Sequence, residues 1–205
     1  MNAIDYKSLK KDFRKSILAK VAGQSPDDLR AHSLSIQNNI VSFFKQIASL
    51  KAAQPNSKWG CYQPLGAEPQ INFDMVQSFV GVNLEFAYPK VTDQKIQFLS
   101  HVDQWQVSQL NVQEPVNGQE VLFNQLTGLL IPAVAFHRAG YRLGRGLGFY
   151  DRTFAQFTGL KVGICYELNF LNNVPYESHD LCMDYVITEK QIYKIDKIQK
   201  QENSK

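Results

Sequence analysis

The stretch Gly128–Phe154, GLLIPAVAFHRAGYRLGRGLGFYDRTF, decides how the rest of the chain is read. Its apolar run Leu129–Ile131 predicts a buried-type strand over 127–131, stopped by Pro132. A loop follows that holds Gly140, Gly144, Gly146 and Gly148. A helical pattern over 148–157 then carries Tyr150, Phe154 and Phe157. In open α/β sheets, ligands gather at the carboxyl ends of strands, where such a loop would sit.

Outward from this stretch, strand and helix patterns alternate. Residues 5–21 predict an amphipathic helix, with Leu9, Phe13 and Ile17 four apart and lysines elsewhere around it. Ser25-Pro26-Asp27-Asp28 opens a second helix: serine caps, proline suits the first helical position and the acids meet the positive dipole end. That helix runs to about residue 51, and Ala52–Ser57 is a polar break. Strands are predicted at 58–63, 84–88 (ended by Pro89), 95–102, 160–165 and 185–188, with a helix at 72–80. Residues 105–121 read as irregular. The outcome is one α/β domain, 1–189, with a mainly parallel sheet. A basic tail, 190–205, either frays or forms a short helix.

Composition restricts the function. Hydrophobic residues make up 44% and charged residues 20% of the 205, ordinary for a globular chain able to bury a core. No apolar run approaches the length of a membrane span, and the first residues lack a signal-peptide pattern. Cys61, Cys165 and Cys182 are odd in number and far apart, against a disulfide framework or a cysteine zinc site and for the cytoplasm. The net charge of +3 is accounted for by the lysine-rich tail, so a general nucleic-acid reading is weak and no nucleic-acid partner is expected. Four of the six arginines, Arg138, Arg142, Arg145 and Arg152, fall within the glycine-rich segment.

Glycines let a backbone approach phosphate closely, and arginines add charge-assisted, often bidentate bonds. Neither GxGxxG nor GxxxxGK[ST] is present, because each needs glycines five apart and no pair here has that spacing. Nucleophile-elbow and HExxH motifs are absent too. Residues alone leave two readings equal: an anion site, or a flexible surface loop with solvated arginines. Asp151 is likewise either a first-turn acid or a magnesium ligand.

PAVAFHRAGYRLGRGLGFYDR (132–152) resembles the signature of the 5-formyltetrahydrofolate cyclo-ligase family. KKDFR (10–14), YQPLGAEPQI (62–71), AYPKV (87–91), VGICYELNF (162–170) and PYESHDLCMDYVITE (175–189) agree in the same order. The resemblance spans about residues 7–189. It implies a three-layer sandwich like that of sugar-phosphate isomerases and CoA transferases. It also implies conversion of 5-formyltetrahydrofolate and ATP to 5,10-methenyltetrahydrofolate, ADP and phosphate, with Mg²⁺, by a monomer.

By that resemblance Lys10, Arg14 and the run Arg142, Leu143, Gly144, Arg145, Gly146, Leu147, Gly148, Phe149 and Tyr150 bind ATP. Arg145 and Tyr150 are implied to be catalytic, Arg145 for transition-state charge. Gln63, Glu68 and Tyr150 are implied to hold the folate, and Asp151 and Asp180 the metal. Taken alone, Lys10 and Arg14 are a solvated basic pair at i, i+4, Glu68 a surface acid and Asp180 a turn cap. The chain departs from the family pattern at Ala133, His137 and Phe149, where Gly, Asp and Tyr are usual, and Leu147 fills a variable loop position. Two other readings are another α/β enzyme acting on a phosphorylated small molecule, and a nucleotide- or RNA-binding module.

Overall fold

A computed structural model describes residues 5–49, 57–80, 84–93, 95–109 and 111–196. Helix α1 (Tyr6–Ala22) starts where the Asp5 carboxylate accepts the backbone N–H groups of Lys7 and Ser8. Helix α2 (Pro26–Ser49) starts as its sequence demands, with the Asp28 N–H donating to Ser25 Oγ at 3.0 Å. One stripe of α2, including Ile36, Ile40, Phe43, Phe44 and Ile47, is buried.

The chain then builds β1 (Ser57–Gly60), α3 (Phe73–Val80), β2 (Leu84–Thr92), β3 (Lys95–Ser100), β4 (Trp105–Val107), β5 (Gln113–Pro115), β6 (Gln119–Val121) and β7 (Leu126–Pro132). After these come β8 (Ala135–His137), β9 (Arg142–Leu143), α4 (Phe149–Phe154), β10 (Leu160–Ile164), β11 (Phe170–Leu171), β12 (Tyr185–Ile187) and β13 (Ile192–Lys194). The main sheet has eight strands in the order β13-β12-β10-β7-β1-β2-β3-β6. From β12 to β2 the pairings are parallel, and β13, β3 and β6 join antiparallel at the two edges. β8, β9 and β11 form a small separate sheet, and β4 and β5 a hairpin ladder.

Alternation along β7 explains why its apolar run is unbroken: both faces of the sheet are covered. Leu130 points to the side of α2 and α3, among Phe43, Phe44, Trp59 and Phe73. Leu129 and Ile131 point to the other side, among Phe98, Phe136, Phe154 and Met183. Trp59 is fully buried and meets Phe43 and Phe44 edge-on, with ring centroids 6.1 and 4.9 Å away. Its neighbour across the ladder must be Gly128, because a Cβ there would lie 2.4 Å from the indole. Ile17 of α1 packs with Val134, Ala135, Leu143 and Val174, so α1 lies on the segment that follows β7. That contact brings the N-terminal helix to the glycine-rich loop.

Several expectations change. β2 does not end at Pro89 but runs to Thr92. β1 pairs with β2 only as far as Ala87, so on that side Pro89 stands at an edge where proline is tolerated. Residues 105–121, expected to be irregular, contain β4, β5 and β6. Ile192–Lys194 in the basic tail is neither frayed nor helical but is the edge strand beside β12, and 197–205 lie outside the described residues. Most of the Ala52–Ser57 break also lies outside them; Ser57 begins β1. The strand expected at 58–63 stops at Gly60 and the one at 95–102 stops at Ser100. The helix expected over 148–157 shrinks to α4, six residues.

Candidate functional site

The cleft forms where the loops after β1 and β7 meet, beyond the carboxyl ends of the parallel strands. It has two lobes. A polar lobe of ≈ 370 Å³ is lined by Lys10, Arg14, Arg142, Leu143, Gly144, Gly146, Gly148, Asp151 and Asp180. A larger lobe of ≈ 770 Å³, continuous with solvent, has apolar walls from Pro89, Val91, Ile96, Val112 and Phe149. Gln63, Glu68, Arg145, Leu147 and Tyr150 face it. Arg142, Gly144 and Gly148 line both lobes and so form the junction.

Local chain geometry explains the convergence. Gly146 and Gly148 have φ of +99° and +67°, which L side chains adopt only under strain. Gly144 must lack a Cβ for a different reason: one would lie 2.7 Å from the Arg142 guanidinium. Arg14 reaches over from α1 and donates from Nε to the Gly144 carbonyl at 2.7 Å. One turn earlier, Lys10 donates to Asp180 at 2.6 Å and to Glu177 at 2.8 Å. The backbone N–H of Arg142 donates to the Leu181 carbonyl at 3.1 Å, which ties the loop of Asp180 to β9. Asp151 then closes the ring, accepting from Arg142 Nη2 at 2.9 Å and from the Leu181 N–H at 3.4 Å.

The electrostatics of each group follow from these contacts. Burial alone would lower the Lys10 ammonium, but its bonds to Asp180 and Glu177 outweigh that and raise it. The same Lys10 bond holds the Glu177 carboxyl below its ordinary range. Burial pushes the Glu68 carboxyl up, and the charge of Arg145 and the Leu65 N–H offset this only in part. The Tyr150 phenol is raised far out of the physiological range, first by burial and then by the charge of Glu68. Within the polar lobe, three cations (Lys10, Arg14, Arg142) face two carboxylates (Asp151, Asp180). α4 is too short for its dipole to matter much, so the charge of this lobe is set by these side chains.

The residues expected to bind ATP are divided between the two lobes. Lys10, Arg14, Arg142, Leu143, Gly144, Gly146 and Gly148 do gather round the polar lobe. Leu147, Phe149 and Tyr150 face the apolar lobe, and so does Arg145. Arg145 donates from Nε to Glu68 at 2.9 Å and from Nη2 to the Leu65 carbonyl. Arg142, 6% exposed and with a buried Nε that has no acceptor among the described residues, is the arginine at the junction. Two site carboxylates escaped the sequence. Glu177 was readable only as the acid three residues before Asp180. Glu114 is a buried carboxylate of the apolar lobe, and it sits in a segment whose strands are too short to show a pattern.

The residues present fit a magnesium ion. Asp151 and Asp180 line one polar lobe and carry the hard oxygen ligands that Mg²⁺ prefers. Ligand atoms of Glu177, His179 and Asp180 also lie within 4.8 Å of one another.

An open α/β domain with a lobe lined by Lys10, Arg14 and Arg142 joined to an apolar lobe at the strands' carboxyl ends has the arrangement of a small-molecule site. The particular family is defined by comparison: the chain belongs to the 5-formyltetrahydrofolate cyclo-ligase family, whose profile matches residues 6–189. A 5-formyltetrahydrofolate cyclo-ligase of Mycoplasma pneumoniae is 32% identical over 162 residues, 77% of this chain and 85% of that one. One of Mycolicibacterium smegmatis is 44% identical over 64 residues, a stretch that spans 30% of this chain and 33% of the relative. The NMR structure of the 5,10-methenyltetrahydrofolate synthetase of Aquifex aeolicus superposes with a TM-score of 0.73 and 28% identity, covering 91% of this chain and 93% of that one. Among the described residues no helix is long and apolar enough to cross a membrane.

Proposed function

We propose that this chain is a cytoplasmic, monomeric enzyme that cyclises 5-formyltetrahydrofolate to 5,10-methenyltetrahydrofolate, converting ATP to ADP and phosphate. One observation carries the reading: the two lobes share Arg142, Gly144 and Gly148, so a phosphate donor in one abuts a flat heterocycle in the other.

In this reading Lys10, Arg14, Arg142 and the backbone of Gly144–Gly148 hold the triphosphate. Asp151 and Asp180 would hold Mg²⁺, which when bound would neutralise phosphate charge. Glu68 and Gln63 accept and donate bonds to the pterin, and Phe149 and Tyr150 pack on it. The formyl oxygen, otherwise a poor leaving group, attacks the γ-phosphorus, and ADP leaves. N10 then attacks the activated formyl carbon, the carbon–oxygen bond breaks, phosphate departs with that oxygen, and the N10 proton is lost. Arg142 at the junction stabilises charge on the transferring phosphoryl group. No side chain need act as a nucleophile, so positioning carries the catalysis.

An RNA-binding module is less well supported, because Arg138, Arg142 and Arg145 each pair with a carboxylate and form no solvated basic stripe. The test is appearance of the methenyl chromophore from 5-formyltetrahydrofolate with and without ATP and Mg²⁺. Product is expected only with both. Folded protein that gives no ATP-dependent product removes the reading.

A further inference from the structure

Arg145 stands between Gly144 and Gly146, whose backbones line the polar lobe, yet its own side chain crosses into the apolar lobe. There its Nε donates to Glu68 Oε1 at 2.9 Å, and its Nη2 donates to the Leu65 carbonyl. The other carboxylate oxygen of Glu68, Oε2, accepts the Leu65 N–H at 3.0 Å. Glu68 is 8% exposed, so both engaged oxygens are largely shielded from solvent although the lobe itself is open. A ligand that presents N–H groups to this carboxylate must compete with Arg145 for Oε1.

Building on the proposed function, we infer that Glu68 is a positioning residue for Arg145. The ion pair holds Arg145 in the folate lobe, and a pterin that takes the carboxylate releases Arg145 to the phosphates. Neither half of the exchange is favourable alone. Nucleotide by itself would draw Arg145 off and leave Glu68 buried and charged without a partner, which is costly. Folate by itself would satisfy Glu68 but take the carboxylate partner from Arg145. With both present, pterin N–H groups replace the guanidinium at Glu68 and phosphate oxygens replace the carboxylate at Arg145. Occupancy of either lobe therefore strengthens binding at the other, by the same factor in both directions.

Calorimetric titration of a non-hydrolysable ATP analogue with Mg²⁺, with and without saturating 5-formyltetrahydrofolate, tests this on the full chain. In the wild type the folate is expected to tighten the analogue on the order of 5-fold or more, the lower range of measured couplings. Glu68→Gln frees Arg145 without folate, so this variant is expected to bind the analogue alone more tightly than the wild type does. A merely structural Glu68 would not produce that gain. Arg145→Gln, which carries no releasable charge, is expected to bind the analogue equally well with and without folate. Melting curves confirm that each variant is folded. Equal analogue affinity with and without folate in the wild type, or no gain in Glu68→Gln, overturns the inference. Turnover without coupling removes the inference alone, whereas a wild type that binds no 5-formyltetrahydrofolate removes the functional reading as well.

Discussion

Arg142 donates from Nη2 to Asp151 Oδ2 at 2.9 Å, and the pair stands where the two lobes of the cleft meet. The guanidinium lies 4.9 Å from the centre of the Tyr150 ring and leaves its Nε without a protein acceptor among the described residues. Its planar fork is thus held by Asp151 and Tyr150, with the buried Nε–H in reserve. Arg142→Lys keeps the charge but loses the fork, and turnover is expected to fall by about 10²–10³-fold, as for removal of one transition-state donor. Gly144→Ala pushes a Cβ into the same guanidinium and is expected to lower turnover in the same direction while the fold survives. Steady-state kinetics beside a melting curve checks both. Wild-type rates in either variant would place the charge stabilisation elsewhere.

Tyr150 faces the apolar lobe, and burial followed by the charge of Glu68 pushes its phenol up, so no acid–base role in turnover is expected of it. Tyr150→Phe is expected to keep kcat within about threefold and to leave the pH–rate profile unchanged, with any cost falling on KM for the folate. Loss of a limb of the profile would restore an acid–base role.

Glu167 fastens the C-terminal edge of the sheet. It accepts from Arg138 at 2.7 Å, from Thr188 at 2.7 Å and from Tyr193 of β13 at 2.9 Å. Burial pushes its carboxyl up, but these donors outweigh burial and leave it below its ordinary value. A depressed folded-state carboxyl adds stability above its unfolded value and loses it as pH falls through the folded one. Glu167→Gln is therefore expected to melt below the wild type at neutral pH, with the gap closing once the medium is acid enough to protonate the native carboxylate. A gap unchanged from pH 7 to pH 3 would mean that the charge contributes nothing.

Phe154 is fully buried and joins α4 to the sheet, stacking on Phe98 at 5.9 Å and meeting Phe123 edge-on at 5.4 Å. Phe154→Ala removes most of that contact, and chemical denaturation should record a loss of about 3–5 kcal/mol. A loss under 1 kcal/mol would show that the site collapses freely around the missing ring.

The parallel strands were legible because both their faces are buried, which leaves unbroken apolar runs such as Leu129–Ile131. The two long helices were legible from their caps and stripes. β13 was not, because an antiparallel edge strand can be polar, and Ile192-Tyr193-Lys194 looks like the tail around it. β4 to β6 are three residues each, shorter than a period-2 pattern needs. Around the cleft, the sequence could name the members but not their pairing. Lys10 meets Asp180 across 170 residues, and Glu68 meets Arg145 across 77. Only the three-dimensional register reveals that the Arg145 side chain lies in the apolar lobe against Glu68 while Arg142 lines both lobes.

The central claim, that the formyl oxygen is phosphorylated and leaves with the phosphate, is tested by turnover of 5-formyltetrahydrofolate labelled with ¹⁸O in the formyl group. One labelled oxygen is expected in the released phosphate for each methenyl product formed, and no product without ATP. Unlabelled phosphate beside full methenyl formation, with the label recovered in water, would contradict it.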